Sequence, residues 1–419
     1  MAAGPLSWSD LEALVESSPL RWGQERSNGA TNAQADWRLF GHSQGEVRVT
    51  LFRDHHAWCP YCQKVWLWLE ERRIPYRVRK VTMFCYGEKE SWYKRLVPSG
   101  MLPALELDGV IITESDTILE ALEQTFGSLG AGMADPAVRP LRQLERQLFR
   151  AWCQWLCRAH RPDSDADARG TFQRWAGAME QALTARPGDF LLGPDQGTAD
   201  LVFVPYVERM NASLAYYKGY LLRQNHPAID RWFRALEQRP TYLGCQSDFH
   251  THAHDLPPQM GGCYASGSDS QRQLAHRIDH GPWPIVAGAG ADPETSQPQP
   301  ADAAAVALAR VLRHRDTLLQ RNPLGAEAFA LPLRTALSNL ITASALPPPA
   351  GSATGLRHLR DRISVPRDMP LHAARLLRQA LERTASLDPL TPQAQGDAIP
   401  VPHRRDQDPR PFLAAGSSV

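Results

Sequence analysis

VRVTLFRDHHAWCPYCQKVWLWLEERRIPYRVRKV, residues 47–81, decides the fold. The run from Val47 to Phe52 reads as a short strand, Cys59 to Arg72 carries apolar residues at helical spacing, and YRVRKV from Tyr76 alternates as a half-buried strand does. That is a β-α-β unit. Working outward, a helical stretch from Glu88 to Val97 leads to a turn at Pro98-Ser99-Gly100. Two short strands follow, ALEL and VII, joined by Asp108-Gly109, and then a helix from Ser115 to Phe126. Asp-Gly suits a two-residue hairpin turn because both central positions need positive φ. The order β-α-β then β-β-α is that of an α/β thioredoxin-like domain, placed at residues 46–128.

A Gly-rich linker around Gly127 to Pro136 separates this domain from an all-α one at 136–248, with helices predicted at Leu141–Ala159, Thr171–Leu183, Thr198–Tyr217 and Ile229–Gln238. The flanks are read more coarsely. Residues 1–45 are a partly ordered leader, 249–300 an extended linker rich in Pro, Gly, Gln and Ser, 301–390 a helical extension and 391–419 a disordered tail.

The 46 Lys and Arg nearly balance the 45 Asp and Glu. This leaves no basic footprint for a phosphate backbone, so nucleic acid is not expected as a partner. No stretch approaches the roughly 20 apolar residues that cross a bilayer, and the start lacks the pattern of a secretory signal. Seven cysteines are spread along the chain rather than packed as a framework, which points to reduced thiols in a cytoplasmic protein.

The chemistry centres on Cys59-Pro60-Tyr61-Cys62, at the junction of the first strand and first helix. Unpaired amides and the positive end of the helix macrodipole favour a thiolate at a helix start, which makes Cys59 the expected nucleophile. Cys62, Val65, Trp66 and Leu69 share one helical face, so Cys62 is expected to be buried while Cys59 stays at the exposed end, with Cys62 resolving a mixed disulfide if it acts at all. The competing reading of the pair is half of a zinc site completed by His55, His56 or Cys85; no metal is expected, because a strand-to-helix junction explains the spacing without one.

Two further elements converge on the same region. In Met101-Leu102-Pro103, a proline at the start of the third strand suits a cis peptide, which exposes the backbone of Leu102 to an extended peptide-like ligand. In Thr113-Glu114-Ser115-Asp116, a capping box Thr113-x-x-Asp116 and the free amides of a helix start form a carboxylate site. Elsewhere, His250-Thr251-His252-Ala253-His254-Asp255 would place three imidazoles on one face of an extended segment, against the blander reading of a surface loop. Cys153 and Cys157, one turn apart beside Trp152 and Trp155, read as core or cleft lining rather than redox partners. Tyr206, Arg209, Tyr216 and Tyr217 are read as packing or as pocket lining.

With these motifs in hand, the chain resembles the glutathione S-transferase superfamily, in its cysteine-type classes (omega, lambda and dehydroascorbate-reductase-like), with a glutaredoxin-type CPYC. The resemblance covers about Val47 to Asp248. RDHHAWCPYCQKVWLWLEERRIPY, VTMFCYGEKESWYKRLVPSGMLPALELDG and ITESDTILEALEQTFG look like a transferase-domain family of cyanobacteria, algae and plastids, and GLRHLRDRISVPRDMP at 355–370 looks like the same family. It implies glutathione as co-substrate, its sulfur at Cys59, its cysteinyl backbone at Leu102 beside Pro103, its γ-glutamyl carboxylate at Glu114 and Ser115, and its glycine carboxylate near Lys89. Cysteine stands where conjugating transferases use Tyr or Ser, which favours thiol exchange over conjugation. Gly197 replaces the usual Ser or Thr three residues before Asp200, at a cost of a few tenths of a kcal/mol.

The expected protein is therefore a glutathione-dependent thiol transferase or oxidoreductase acting on a small-molecule or protein-disulfide substrate by disulfide exchange, deglutathionylation or dehydroascorbate-type reduction. A homodimer is compatible with it. The alternative is a non-catalytic module of the same fold that binds a ligand or a protein.

Overall fold

In the computed structural model of the protein the described residues are 4–16, 25–159, 161–286 and 290–390. The tail read at 391–419 lies outside them. The chain divides into two compact units: one takes Trp22–Ala275 and Val286–Gln297, the other Met1–Arg21, His276–Ile285 and Pro298–Val419.

The first unit opens on a five-stranded sheet of β1 (Trp37–Arg38), β2 (Val49–Asp54), β3 (Tyr76–Val81), β4 (Ala104–Leu107) and β5 (Val110–Thr113), in the order β1-β3-β2-β4-β5. β2 pairs parallel with β3 and antiparallel with β4. A strand covered on both faces must be apolar on both, and Val49, Leu51 and Phe52 are all buried. The β4–β5 hairpin turns where Asp108 and Gly109 take φ of 51° and 83°, as the pair demands. β1 is the surprise. It lies in the segment read as a leader and extends the sheet by pairing with β3, held by buried Arg38, whose Nε and Nη2 donate to Glu70 at 2.8 and 2.9 Å.

Two helices pack on this sheet, Pro60–Glu71 and Ser115–Phe126. The first begins on a proline, whose missing N–H costs nothing at a position with no intrahelical partner. The all-α part follows with Val138–Leu156, Pro162–Thr184, Thr198–Lys218 and Pro227–Leu236. Thr198–Lys218 is buried along its whole length and runs through the centre of this part. The missing hydroxyl at Gly197 is offset by Asp200, which reaches back to accept from Gly197 N at 2.9 Å, and also from Leu191 N at 3.0 Å and Trp232 Nε1 at 2.9 Å.

The segment read as extended linker carries two helices, Phe249–Met260 and Asp269–His280. The three histidines therefore alternate along a helix rather than a strand, and His250 through Asp255 are buried, not on a surface loop. The reason is local. Asp248 caps the helix by accepting from Thr251 N at 2.8 Å, and the Pro257-Pro258 that suggested a linker falls within the helix.

The second unit is helical: Trp8–Glu16, Ala303–Arg313, Arg315–Arg321, Ala326–Thr342, Ala353–Arg362 and Leu371–Ser386. Its core gathers Leu11, Phe329, Leu333, Leu337, Leu356 and Leu377, all fully buried. The other part of the presumed leader thus belongs here, through Leu11. The architecture is a thioredoxin-like α/β domain, an all-α domain and a mostly helical extension.

Candidate functional site

β2 delivers the chain to the site and its last residue is part of it. Asp54, fully buried, accepts from Trp58 N through Oδ2 at 2.7 Å, which folds the connection tightly and sets Cys59 as N-cap of the Pro60–Glu71 helix. The Cys59 sulfur accepts the Cys62 backbone N–H at 3.4 Å. This bond uses one of the free donors of a helix start, which would stabilise negative charge on that sulfur.

One expectation is corrected here: Cys59 is not an exposed thiol, being 5% exposed against 1% for Cys62. It lies instead in the wall of a cavity of about 510 Å³, shared with Tyr61, Lys89, Leu102, Trp152, Tyr206 and Arg209. Burial pushes the Cys62 thiol well above its ordinary range, and the neighbouring Cys59 and Asp54 push it the same way. Cys62 is thus held as the protonated partner. Cys85, packed against the same sulfurs, is pushed up to about 11, chiefly by burial.

The sequence reasoning missed Asp54. An oxygen of its carboxylate and the two sulfurs all lie within 4.8 Å of one another. The signal was an acidic residue ending a strand otherwise buried on both faces. These three atoms are also the metal-capable set of this site, and the two histidines considered to complete zinc make other contacts. His56 stacks on Trp58 at 4.5 Å and His55 turns to Glu90 at 3.3 Å.

Leu102-Pro103 is a cis peptide, and Leu102 lines the cavity beside Cys59. Lys89 reaches the same cavity while its Nζ donates to the carbonyl of Thr82 at 2.8 Å. Its stem crosses Gly100, where an added Cβ would stand 3.2 Å from Lys89 Cδ and where φ is +65°. Burial lowers the Lys89 pKa, against the pull of Cys62 and Cys59.

Glu114 and Ser115 are reached along the sheet. Ala104 pairs with Thr113 in the β4–β5 ladder, so Pro103 and Glu114 stand one step further along the same two strands. The capping box is corrected: the N-cap is Glu114, with φ 65° and no side-chain cap bond, and Asp116 instead pairs with Lys64 and Arg142. Positive φ in a residue with a Cβ is costly, and such strain tends to sit at binding sites. Ser115 is buried and Glu114 exposed beside it.

Arg209 ties the helical part to the cysteine loop. Fully buried, it donates to Trp58 O at 2.5 Å, Gln63 Oε1 at 2.7 Å and Pro205 O at 2.6 Å. Beside it, His252 Nε2 donates to Glu208 Oε1 at 2.7 Å. Burial works against the charge of that imidazole, but Asp255 and Glu208 outweigh it and its pKa is raised. His252 is structural, and so are Tyr216 and Tyr217, which the cavity does not include.

Residues 58–125 match the family model "Glutathione S-transferase, N-terminal domain". That stretch is a domain of the glutathione S-transferase N-terminal type. Among its relatives, Glutathione S-transferase DHAR2 of Arabidopsis thaliana is 23% identical over 187 residues, which is 44% of this chain and 82% of that protein. Pyrimidodiazepine synthase of Drosophila melanogaster is 25% identical over 204 residues, 47% of this chain and 81% of that one. Among solved structures, glutathione transferase Omega 3C from Trametes versicolor is 25% identical, with a TM-score of 0.45, and covers 51% of this chain and 90% of its own. These likenesses reach about half of the chain. Among the described residues no helix is long and apolar enough to cross a membrane.

Proposed function

We propose that the protein is a glutathione-dependent thiol transferase or oxidoreductase in which Cys59 is the nucleophile. The observation that supports this reading best is the Cys59 sulfur in the wall of the cavity, accepting the Cys62 N–H, with the cis Leu102-Pro103 peptide beside it. Glutathione would lie as an extended strand against Leu102, its γ-glutamyl carboxylate at Ser115 and Glu114 and its glycine carboxylate toward Lys89. The apolar remainder of the cavity suits a second substrate.

In the reaction the Cys59 thiolate attacks a substrate disulfide, forming a mixed disulfide and expelling the other sulfur as a thiolate. A glutathione thiolate, or Cys62, then attacks the Cys59 sulfur and releases the remaining half of the substrate. For Cys62 to act it must lose the proton that its surroundings hold on it, and the Asp54 carboxylate is the base within reach. Reduction of dehydroascorbate runs through the same sulfur, with two glutathione thiols supplying the two electrons and leaving as the disulfide.

The test is turnover of a glutathionylated peptide and of dehydroascorbate by wild type, Cys59→Ser and Cys62→Ser. Loss in Cys59→Ser alone selects the monothiol route, and loss in both selects the dithiol one. Wild-type turnover no faster than the uncatalysed reaction refutes the proposal and leaves a binding module.

A further inference from the structure

Three cysteines outside this site form a cluster that the proposed reaction does not use. Cys153 lies one turn before the end of the Val138–Leu156 helix and Cys157 is its C-cap, with Cys157 N donating to Cys153 O at 2.9 Å. After the Phe249–Met260 helix the chain returns to the same place, where Tyr264 N donates to Leu156 O at 2.9 Å and Ser266 N to Tyr217 O at 2.8 Å. That pairing sets Cys263 beside Cys157. Cys157 stands between Cys153 and Cys263 and interacts with both thiols, which meet each other only at longer range. All three are half-buried, unlike Cys245, which is fully enclosed.

The environment sorts the three. A helix C-terminus opposes an anion, yet the neighbouring Cys153 and Cys263 thiols and the Lys218 ammonium lower the pKa of the Cys157 thiol. The same contacts, with burial, push Cys153 and Cys263 upward. Cys157 is therefore the most readily deprotonated of the three.

We propose that Cys157 and Cys263 form a second thiol–disulfide centre, separate from Cys59 and Cys62, which glutathione disulfide oxidises to a reversible Cys157–Cys263 bond. The Cys157 thiolate attacks one sulfur of glutathione disulfide, making a Cys157–glutathione mixed disulfide and releasing one glutathione thiolate. The Cys263 thiol passes its proton to solvent and attacks the Cys157 sulfur, and the second glutathione leaves as a thiolate. Two protein thiols thus give two electrons to one glutathione disulfide.

Cys263 is the partner rather than Cys153 for a geometric reason. Residues one turn apart on a helix hold their Cβ atoms about 5–6 Å apart and pointing the same way. A disulfide wants them at about 3.5–4.5 Å. Cys263 arrives on an independent segment that can close the distance.

The bond has a consequence for the first site. Cys263 follows directly on the helix whose Leu256, Gln259 and Met260 wall the 510 Å³ cavity, and Cys157 ends the helix that contributes Phe149 and Trp152 to it. Oxidation ties these two walls together.

The test uses the full chain carrying Cys59→Ser and Cys62→Ser, so that its outcome does not depend on the first site. The protein is incubated with glutathione disulfide, blocked with iodoacetamide, digested and read by mass spectrometry. The expected result is a linked peptide joining Cys157 to Cys263 that disappears on reduction, persists with Cys153→Ser added and is absent with Cys263→Ser added. Without oxidant, Cys157 should be alkylated at least about tenfold faster than Cys245. The linked peptide from the chain with all three cysteines intact decides the matter even where an added substitution unfolds the protein. Its absence overturns the proposal, as does a Cys153–Cys157 bond in its place or a glutathione adduct that stops at Cys157.

Discussion

Asp116→Asn offers a quantitative test of how the start of the Ser115–Phe126 helix is held beside the site. Lys64 is buried, its side chain 3% exposed, and its Nζ meets Asp116 Oδ1, while Arg142 Nη2 meets Oδ2 at 2.6 Å. Two unit charges about 3 Å apart at an effective dielectric of about 20 attract by roughly 5 kcal/mol. The Asp116 side chain is 41% exposed, and solvent screening cuts this to about 2–3 kcal/mol. An asparagine keeps the shape and one acceptor but leaves an ammonium buried without a counter-charge, so a loss of about 2 kcal/mol at pH 7 is expected. The pH dependence follows from the signs. Burial already holds the Lys64 pKa below 10.5, against the pull of Asp116. A base whose folded pKa is below its unfolded one binds fewer protons when folded, so stability rises with pH through that window. Removing Asp116 lowers the folded value further, so the variant gains more on going from pH 7 to pH 10 and its deficit shrinks. Burial raises the Asp116 pKa, but Lys64 and Arg142 outweigh it and the net shift is downward. That stabilisation is present above 3.8 and is lost as pH falls through the folded value, so the two proteins also converge in acid. Urea unfolding followed by tryptophan fluorescence at pH 7 and 9.5 measures this. A difference under about 0.5 kcal/mol at pH 7, or one that stays flat between the two pH values, refutes the reasoning.

Arg209→Met should lower kcat/KM of the proposed thiol exchange at least about tenfold and stability by roughly 3 kcal/mol, because it removes the charged donor that the buried Trp58 carbonyl and Gln63 Oε1 share next to Cys59; unchanged kinetics with glutathionylated peptide would count against a positioning role. Asp388→Ala should cost about 2 kcal/mol, since that carboxylate accepts from Gly351 N at 3.0 Å, Ala353 N at 2.8 Å and Leu390 N at 3.0 Å. Burial acts to raise the Asp388 pKa and these donors bring it below 3.8, so the cost should hold at neutral pH and fade as acid titrates the wild type, as thermal unfolding at pH 7 and pH 3 would show.

What could be read in the sequence followed from period and turn chemistry. The Ser115–Phe126 helix and the Asp108-Gly109 turn are local facts, and local pattern was enough for both. What failed depended on distant partners. The start of the Ala353–Arg362 helix is held by Asp388, 35 residues away, so its bounds do not follow from local pattern. β1 exists because Arg38 finds Glu70 across 32 residues and β3 offers an edge. The site divides in the same way. Cys59 and Leu102 were singled out from motifs and Lys89 from the resemblance, and the three share one cavity, whereas Asp54 and Arg209 reach that region through folding of the chain, and no spacing rule connects them to the CPYC.

The cysteines carry this argument furthest, because a thiol's chemistry is set by its donors and its exposure rather than by its motif. Cys62 sits in the most recognisable motif of the chain, yet burial and its neighbours keep it protonated. Cys157 sits in no motif, yet two neighbouring thiols and a buried ammonium lower its pKa. Oxidants should therefore find Cys157 before Cys62, despite what the sequence advertises. That order bears on how the protein would work under stress. A rise in glutathione disulfide would oxidise the Cys157–Cys263 pair and fix the walls of the cavity while Cys62 still held its proton. The first site would meet its substrate in a cavity whose shape reports the redox state around it.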